Sequence, residues 1–126
     1  MRTNEVIIAV RRRNEFLVVH RSPTNGGFWH LIAGGVEAGE TDEEAAVREL
    51  FEETRLKTSV ESLDFSFTHH EIHVESFVAE APPRWEPVLD WEHDQYIWCS
   101  PAHAIRLLYW PEPRAIVELL TAPAGN

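Results

Sequence analysis

The sequence predicts an α/β fold in which a mixed sheet is packed between helices. Three observations carry that prediction. Apolar runs rich in Val, Ile and Phe come mostly as hairpin-like pairs. One amphipathic helix separates the first group of runs from the second. Two more helices close the chain, so few βαβ units are available and helices must pack on the faces of a mixed sheet. With 126 residues the chain fits one domain, residues 1–126, whose core needs no cross-links.

Taken in order, Glu5 to Arg12 reads as a strand. The polar cluster Arg11 to Glu15 is a turn with Asn14 at its tight position, and Phe16 to His20 returns as the second arm of a hairpin. Ser22 to Gly27 is a loop. Phe28 to Ile32 is a short strand running into Gly34-Gly35, and a helix follows. Thr58 to Thr68 alternates Leu63, Phe65 and Phe67 with Ser62, Asp64 and Ser66, the pattern of a half-buried strand. Ile72 to Ala81 is another strand, with the turn between them near Thr68 to Glu71. The prolines of Ala81 to Pro87 lack donors and exclude helix or central strand, and this loop is long enough to serve function. Val88 to His93 is ambiguous, and Gln95 to Cys99 is a strand. Ser100 caps a helix from Pro101 to Leu108, Trp110-Pro111 ends it, and a last helix spans Pro113 to Leu120.

Composition narrows the function. A formal charge of −10 argues against loose binding to nucleic acid, which needs a basic surface. The same charge suits either a solubilising surface or a site that collects divalent cations. The single cysteine, Cys99, excludes an internal disulfide and offers no thiolate cluster. The apolar run Val6 to Val10 is too short for a signal segment or a membrane span. The expectation is a soluble, cytoplasmic protein with no nucleic-acid or membrane partner.

The densest information lies in Gly34 to Leu56, GGVEAGETDEEAAVRELFEETRL. Eight of the 21 acidic residues fall between Glu37 and Glu53. Thr41 and Glu44 form a capping box that starts the helix, and Asp42, Glu43 and Glu44 are favoured at the positive end of its dipole. The later acids have no such reason. At about 100° per residue, Ala46, Val47, Leu50 and Thr54 make the core-facing stripe, and Glu49, Glu52 and Glu53 cluster on the opposite side. Neighbours at i, i+3 and i+4 repel when alike in charge, and these also sit toward the negative end of the dipole. A solvated face is the ordinary reading of helix acids, but such faces mix signs. Here the one cation, Arg48, is adjacent in sequence and can orient a carboxylate. Ala45, small and on the acidic side, leaves room for a ligand. Hard oxygen donors at this density suit Mg²⁺ or Mn²⁺, and Gly34-Gly35 lets the backbone approach.

The stretch resembles the Nudix hydrolase box, G-x5-E-x7-R-E-U-x-E-E-x-G-U with U aliphatic. It does so through Gly34, Glu40, Arg48-Glu49-Leu50, Glu52-Glu53 and Leu56. Arg55 departs from it, standing where the pattern has glycine. Either Arg55 takes the left-handed conformation at a cost of about 1 kcal/mol or the helix ends differently. Ile32-Ala33 replaces the Pro-Gly of many members. The resemblance implies an α-β-α sandwich that hydrolyses a nucleoside diphosphate linked to another group. It implies that Glu52 and Glu53 bind metal, that Glu49 shares the metal or orients water, and that the Gly34 carbonyl is a further ligand. It also implies that Arg48, counted with the catalytic group, and Glu40 brace the loop and helix, and Gly35, whose backbone can approach a ligand, is a candidate substrate contact.

A narrower similarity is carried by GFWHLIAGGVEAGE, EETRL and WEHDQYIW followed by a Pro-Ala helix start. It is to the bacterial dihydroneopterin triphosphate pyrophosphohydrolases, with a trimmed region here around Phe67 to Glu71. It implies a metal-binding or basic role for Glu92, and family habit adds a homodimer. Arg21 is a candidate phosphate contact because guanidinium matches phosphate geometry, with Arg84 a weaker one. Phe28 and Trp29 are candidate stacking surfaces for a base or pterin, with Trp85 and Trp91 as further ones and core packing as the alternative. Trp98, alternating with Tyr96, reads as packed. His69, Glu71, His73 and Glu75 would share one polar strand face lining the cleft or solvent, and without cysteines the histidines make a poor zinc site. The expected function is Mg²⁺-dependent hydrolysis of a nucleoside or pterin triphosphate to monophosphate and pyrophosphate. The alternatives are another diphosphate derivative (a dinucleoside polyphosphate, a nucleotide sugar or an oxidised nucleotide) and a nucleotide-binding domain without turnover. Three intact glutamates argue against the last.

Overall fold

Val6 to Val10 are all buried, because a strand apolar on both faces must be covered on both. In the computed structural model, which describes residues 4–122, this run is the middle of β1 (Asn4–Arg12). Around it stand β2 (Glu15–Arg21), β3 (Trp29–His30), β4 (Ile32–Gly35), β5 (Glu61–His69), β6 (Ile72–Glu80) and β7 (His93–Cys99), with α1 (Asp42–Thr54), α2 (Pro101–Leu107) and α3 (Pro111–Thr121). The sheet runs β3-β2-β1-β6-β5, with β4 also paired to β1 and β7 to β2. The β1–β6 pairing is parallel and the others are antiparallel, so the sheet is mixed.

Alternation along β1 divides the core into two layers. Val6, Ile8 and Val10 pack with Ile32, Phe77 and, from α1, Ala45, Ala46 and Leu50. Ile7 and Ala9 pack with Phe16, Val18 and, from α2 and α3, Ala104, Ile116 and Val117. The result is an α-β-α sandwich. Cys99 is free and buried in the second layer. Among the described residues no helix is long and apolar enough to cross a membrane.

Several local expectations change. In the β1–β2 hairpin Arg12 faces Glu15, and it is Arg13, at φ 56°, that takes the left-handed conformation rather than Asn14. Two-residue hairpin loops call for φ > 0 at the first central position to match strand twist. The expected strand Phe28 to Ile32 is two strands, because β3 pairs with β2 and β4 with β1. The β5–β6 turn is His70-Glu71, both left-handed at φ 48° and 69°, so Glu71 leaves the strand face assigned to it. Trp110-Pro111 does not merely end a helix. Trp110 stands at the N-cap position of α3 without a side-chain cap, and Pro111 is the first helical residue, where a missing N–H costs nothing.

Candidate active site

The site is built on α1. Thr41 Oγ1 accepts from the Glu44 amide (3.1 Å) and Glu44 Oε1 from the Thr41 amide (2.9 Å), the expected capping box. At the other end Arg55 is left-handed, φ 71°, and its amide donates to the Phe51 carbonyl at 2.8 Å. The helix therefore ends where a glycine would end it, with an arginine in the strained conformation.

The acids of α1 divide by environment. Glu52 is exposed, whereas Glu49 is 8% and Glu53 only 1% exposed. This corrects the expected acidic side opposite the core. The helix is flanked by β4 and by the β6–β7 loop, whose Val88 amide donates to the Thr54 carbonyl at 3.0 Å, so two of the three acids face protein. Ala45 is likewise fully buried against the sheet and leaves no room for a ligand.

Arg48 organises the cluster. Its Nε donates to Glu40 Oε2 at 2.6 Å and its Nη2 to Glu40 Oε1 at 3.0 Å and to the Gly35 carbonyl at 2.8 Å. Its Nη1 donates to Glu49 Oε1 at 2.8 Å and Glu52 Oε1 at 3.1 Å. The hydrogen bonds to Glu40 hold that carboxyl below its ordinary range. Gly34 lets the Glu49 carboxylate lie against the backbone, since a Cβ there would overlap that group and displace it. The Gly35 carbonyl is taken by Arg48, and Gly35 lies outside the cavity lining.

Glu53 is the anomaly. Both its oxygens are buried without a hydrogen-bond partner. Burial, then the neighbouring Glu49, Glu92 and Asp90 carboxylates, push its pKa up to about 11. Behind it His93 Nε2, also unpartnered, lies 3.7 Å from Glu53 Oε1, while His93 Nδ1 is 3.0 Å from Asp90. Among the described residues no three Asp, Glu, His or Cys side chains already stand as a cation cage. The cluster nonetheless fits a hard cation. It holds a buried carboxyl without a hydrogen-bond partner and a second carboxylate pressed on a glycine backbone, hard oxygen ligands of the kind such ions take.

Glu92 joins this group from the β6–β7 loop. Its carbonyl accepts from the Ser22 amide at 2.9 Å, tying it to the loop after β2. Burial and Asp90 raise its pKa, and Arg21 opposes them.

A cavity of about 300 Å³ opens beside these residues, and Gly34, Glu92, Arg21 and Phe28 line it. The Arg21 Nε is held by the Asn25 carbonyl at 2.8 Å, and its guanidinium lies 5.8 Å from the Phe28 ring. Trp29 does not line the cavity; it packs on the second core layer, edge-on to His20 at 5.0 Å. Trp85 packs on Trp98 in the first layer, and Trp91 is 78% exposed. Of the other lining residues, sequence reasoning placed His69 on a polar strand face at the cleft or solvent, read Trp110 only as part of a helix break and Glu5 only as a strand start, and did not single out Glu112 or His30. His30 has a buried, unpartnered Nδ1, and burial lowers its pKa to about 3. Only its place in the short Trp29-His30 strand could have flagged it.

The NUDIX domain pattern matches residues 1–120. The chain is 34% identical over 132 residues to an octanoyltransferase of Myxococcus xanthus, across 97% of this chain and 37% of that protein. It is 29% identical over 123 residues to the dihydroneopterin triphosphate diphosphatase of Haemophilus influenzae, across 81% of this chain and 75% of that one. The first curated relatives are much longer, and the chain spans 20% to 37% of their length. The solved structure of the E. coli dihydroneopterin triphosphate pyrophosphohydrolase has the same fold, with a TM-score of 0.83 at 21% identity over 96% of this chain and 97% of that one. With the box residues gathered on α1 and the pattern spanning nearly the whole chain, the protein belongs to the Nudix family.

Proposed function

We propose that the domain hydrolyses the phosphoric anhydride of a nucleoside or pterin triphosphate, releasing pyrophosphate and leaving the monophosphate. The observation that carries this reading is Glu53, a buried carboxyl with no donor, set beside Glu49 and Gly34. A carboxyl left so is costly unless a ligand completes it.

Glu49, Glu52, Glu53, Glu92 and the Gly34 carbonyl are the groups that would hold Mg²⁺ or Mn²⁺. When bound, such a cation supplies charge neutralisation for the diphosphate and a water of lowered pKa. The chain's own groups do the rest. Arg48 keeps Glu49 and Glu52 aligned through its two Nη1 bonds. Arg21, at the cavity wall, offers its guanidinium nitrogens to a phosphate. Glu92 is suited to accept the proton of the attacking water, because burial raises its proton affinity. The water oxygen bonds to phosphorus in line as the anhydride P–O bond breaks and pyrophosphate leaves. The likeness to dihydroneopterin triphosphate diphosphatase supports a triphosphate over other anhydrides.

The test is turnover with Mg²⁺ of dihydroneopterin triphosphate, dATP, an oxidised guanine nucleotide, a dinucleoside tetraphosphate and ADP-ribose, with product identification. Pyrophosphate from the triphosphates is the expected result, and turnover of none of the five would refute the reading.

A further inference from the structure

The loop that delivers Glu92 carries a part-buried acid that lies outside the cavity lining, Asp90. Its Oδ1 accepts from the Glu92 amide at 3.3 Å and from His93 Nδ1 at 3.0 Å. Its carbonyl accepts from the His93 amide, also at 3.3 Å. An aspartate that bonds the backbone two residues on closes a turn by itself. Here the same oxygen also orients a ring.

The turn joins two parts of the candidate site. On one side is Glu92, whose own carbonyl accepts from the Ser22 amide at 2.9 Å. On the other is His93, which opens β7 opposite Arg21, at the register shift of β2. The His93 ring is fully buried behind Glu53, with Nε2 3.7 Å from Glu53 Oε1. One oxygen of Asp90 therefore sets both the backbone that carries Glu92 and the ring that backs Glu53. The earlier pins of the loop, the Val88 amide on the Thr54 carbonyl and Leu89 against the first core layer, come before Asp90 and do not orient that ring.

Negative charge is not a sufficient reason for this residue. A carboxylate here repels Glu53 and Glu92 instead of relieving them. Its hydrogen bonds are what the site gains. Groups that orient the ligands of a cation govern its affinity without touching it.

We propose that Asp90 is a positioning residue: its Oδ1 sets Glu92 directly, and Glu53 through the His93 ring, for cation binding. It acts by the place of its acceptor oxygen and not by its charge. This rests on reading Glu53 and Glu92 as cation ligands of the proposed hydrolase.

Two conservative variants of the whole chain separate place from charge. Asp90→Asn keeps an acceptor oxygen where it stands and removes the charge. Asp90→Glu keeps the charge and shifts the acceptor by one methylene. Calorimetry without substrate reads Mn²⁺ affinity. Kinetics with Mg²⁺ use whichever of the five substrates the wild type turns over fastest, and Tm without metal confirms folding. Asp90→Asn should stay within about threefold of the wild type in Mn²⁺ Kd and in kcat, because an amide oxygen accepts as a carboxylate does. Asp90→Glu should weaken Mn²⁺ binding and lower kcat by about tenfold or more. Its KM should change little, since Arg21 and the cavity wall are untouched. An Asp90→Asn protein as poor as Asp90→Glu, or poorer, would overturn the proposal, because the charge would then be the working part. Wild-type Mn²⁺ affinity and kcat in Asp90→Glu, whatever its Tm, would also overturn it. If the wild type binds Mn²⁺ and hydrolyses nothing, the hydrolase reading fails and the Mn²⁺ series still decides the role of Asp90. A wild type that does not bind Mn²⁺ overturns both.

Discussion

On the α1 face, the acids and the arginine that ties them come mainly from Gly34 to Glu53, and Arg48 alone bonds Glu40, Glu49, Glu52 and the Gly35 carbonyl. On the α3 face, the cavity is assembled from Glu5, Phe28, His30, His69, Trp110 and Glu112, residues that meet only because β1, β3, β5 and α3 do. The first region is a local device, written in one stretch and held by charge. The second is a tertiary device, held by packing. The difference is between groups that neighbouring residues can align and a cavity that only distant segments can close.

The sharpest way to break the comparison is at Glu53. Glu53→Gln should lower kcat by about 10³-fold or more, since cation-assisted stabilisation of several kcal/mol is lost. The metal-free stability should not fall, because a neutral amide replaces a desolvated carboxyl. Thermal unfolding with and without Mg²⁺ checks both parts: the wild type should gain stability from the cation and the variant should gain little.

Arg48→Ala comes next. It leaves Glu49 and Glu40 without their cation in a part-buried setting and should cost about 3 kcal/mol, together with most activity. Arg48→Lys should restore only part, because an ammonium cannot reproduce the fork to Glu40 and Gly35. Denaturant unfolding of the three proteins reads the ranking.

The α3 face gives a pH test. The pKa of His30 falls from its ordinary value to about 3 on folding, so the unfolded chain takes up the proton first. Its contribution is intact above about pH 6.5 and is lost as pH falls toward 3, amounting to up to about 2 kcal/mol by pH 5. His30→Gln should flatten that part of the stability profile. An unchanged slope between pH 7 and 5 would place the acid sensitivity elsewhere.

The smallest effect lies outside both regions. Arg55→Gly relieves a left-handed arginine at the end of α1 and should stabilise the fold by about 1 kcal/mol, with the rate unchanged. The stacking of Arg55 over Phe51 at 5.2 Å offsets part of this gain, so the measured increase in Tm reads the difference.

Much of the α1 face was legible because its logic is short-range. The capping box, the i, i+3 and i+4 spacing of Glu49, Glu52 and Glu53, and the place of Arg48 all follow from helix geometry. Their burial did not follow. Glu53 lies only about 60° from Leu50 on a helical wheel, at the edge of the apolar stripe, and reading it as part of an opposite, acidic side missed that His93 packs behind it. Trp29 and Trp85 carried the same aromatic signal as Phe28, yet packing sends both into the core and Phe28 to the cavity.

By itself the sequence determined most of the strand and helix order, the family and the acids of the box, since each rests on neighbours a few residues apart. Tertiary structure alone decided that Arg55 is left-handed, that Glu53 lacks donors, and that Trp110 and Glu112 face a cavity with His30 and His69. Those facts depend on which distant segments the sheet brings together, and periodicity along one chain carries no record of that.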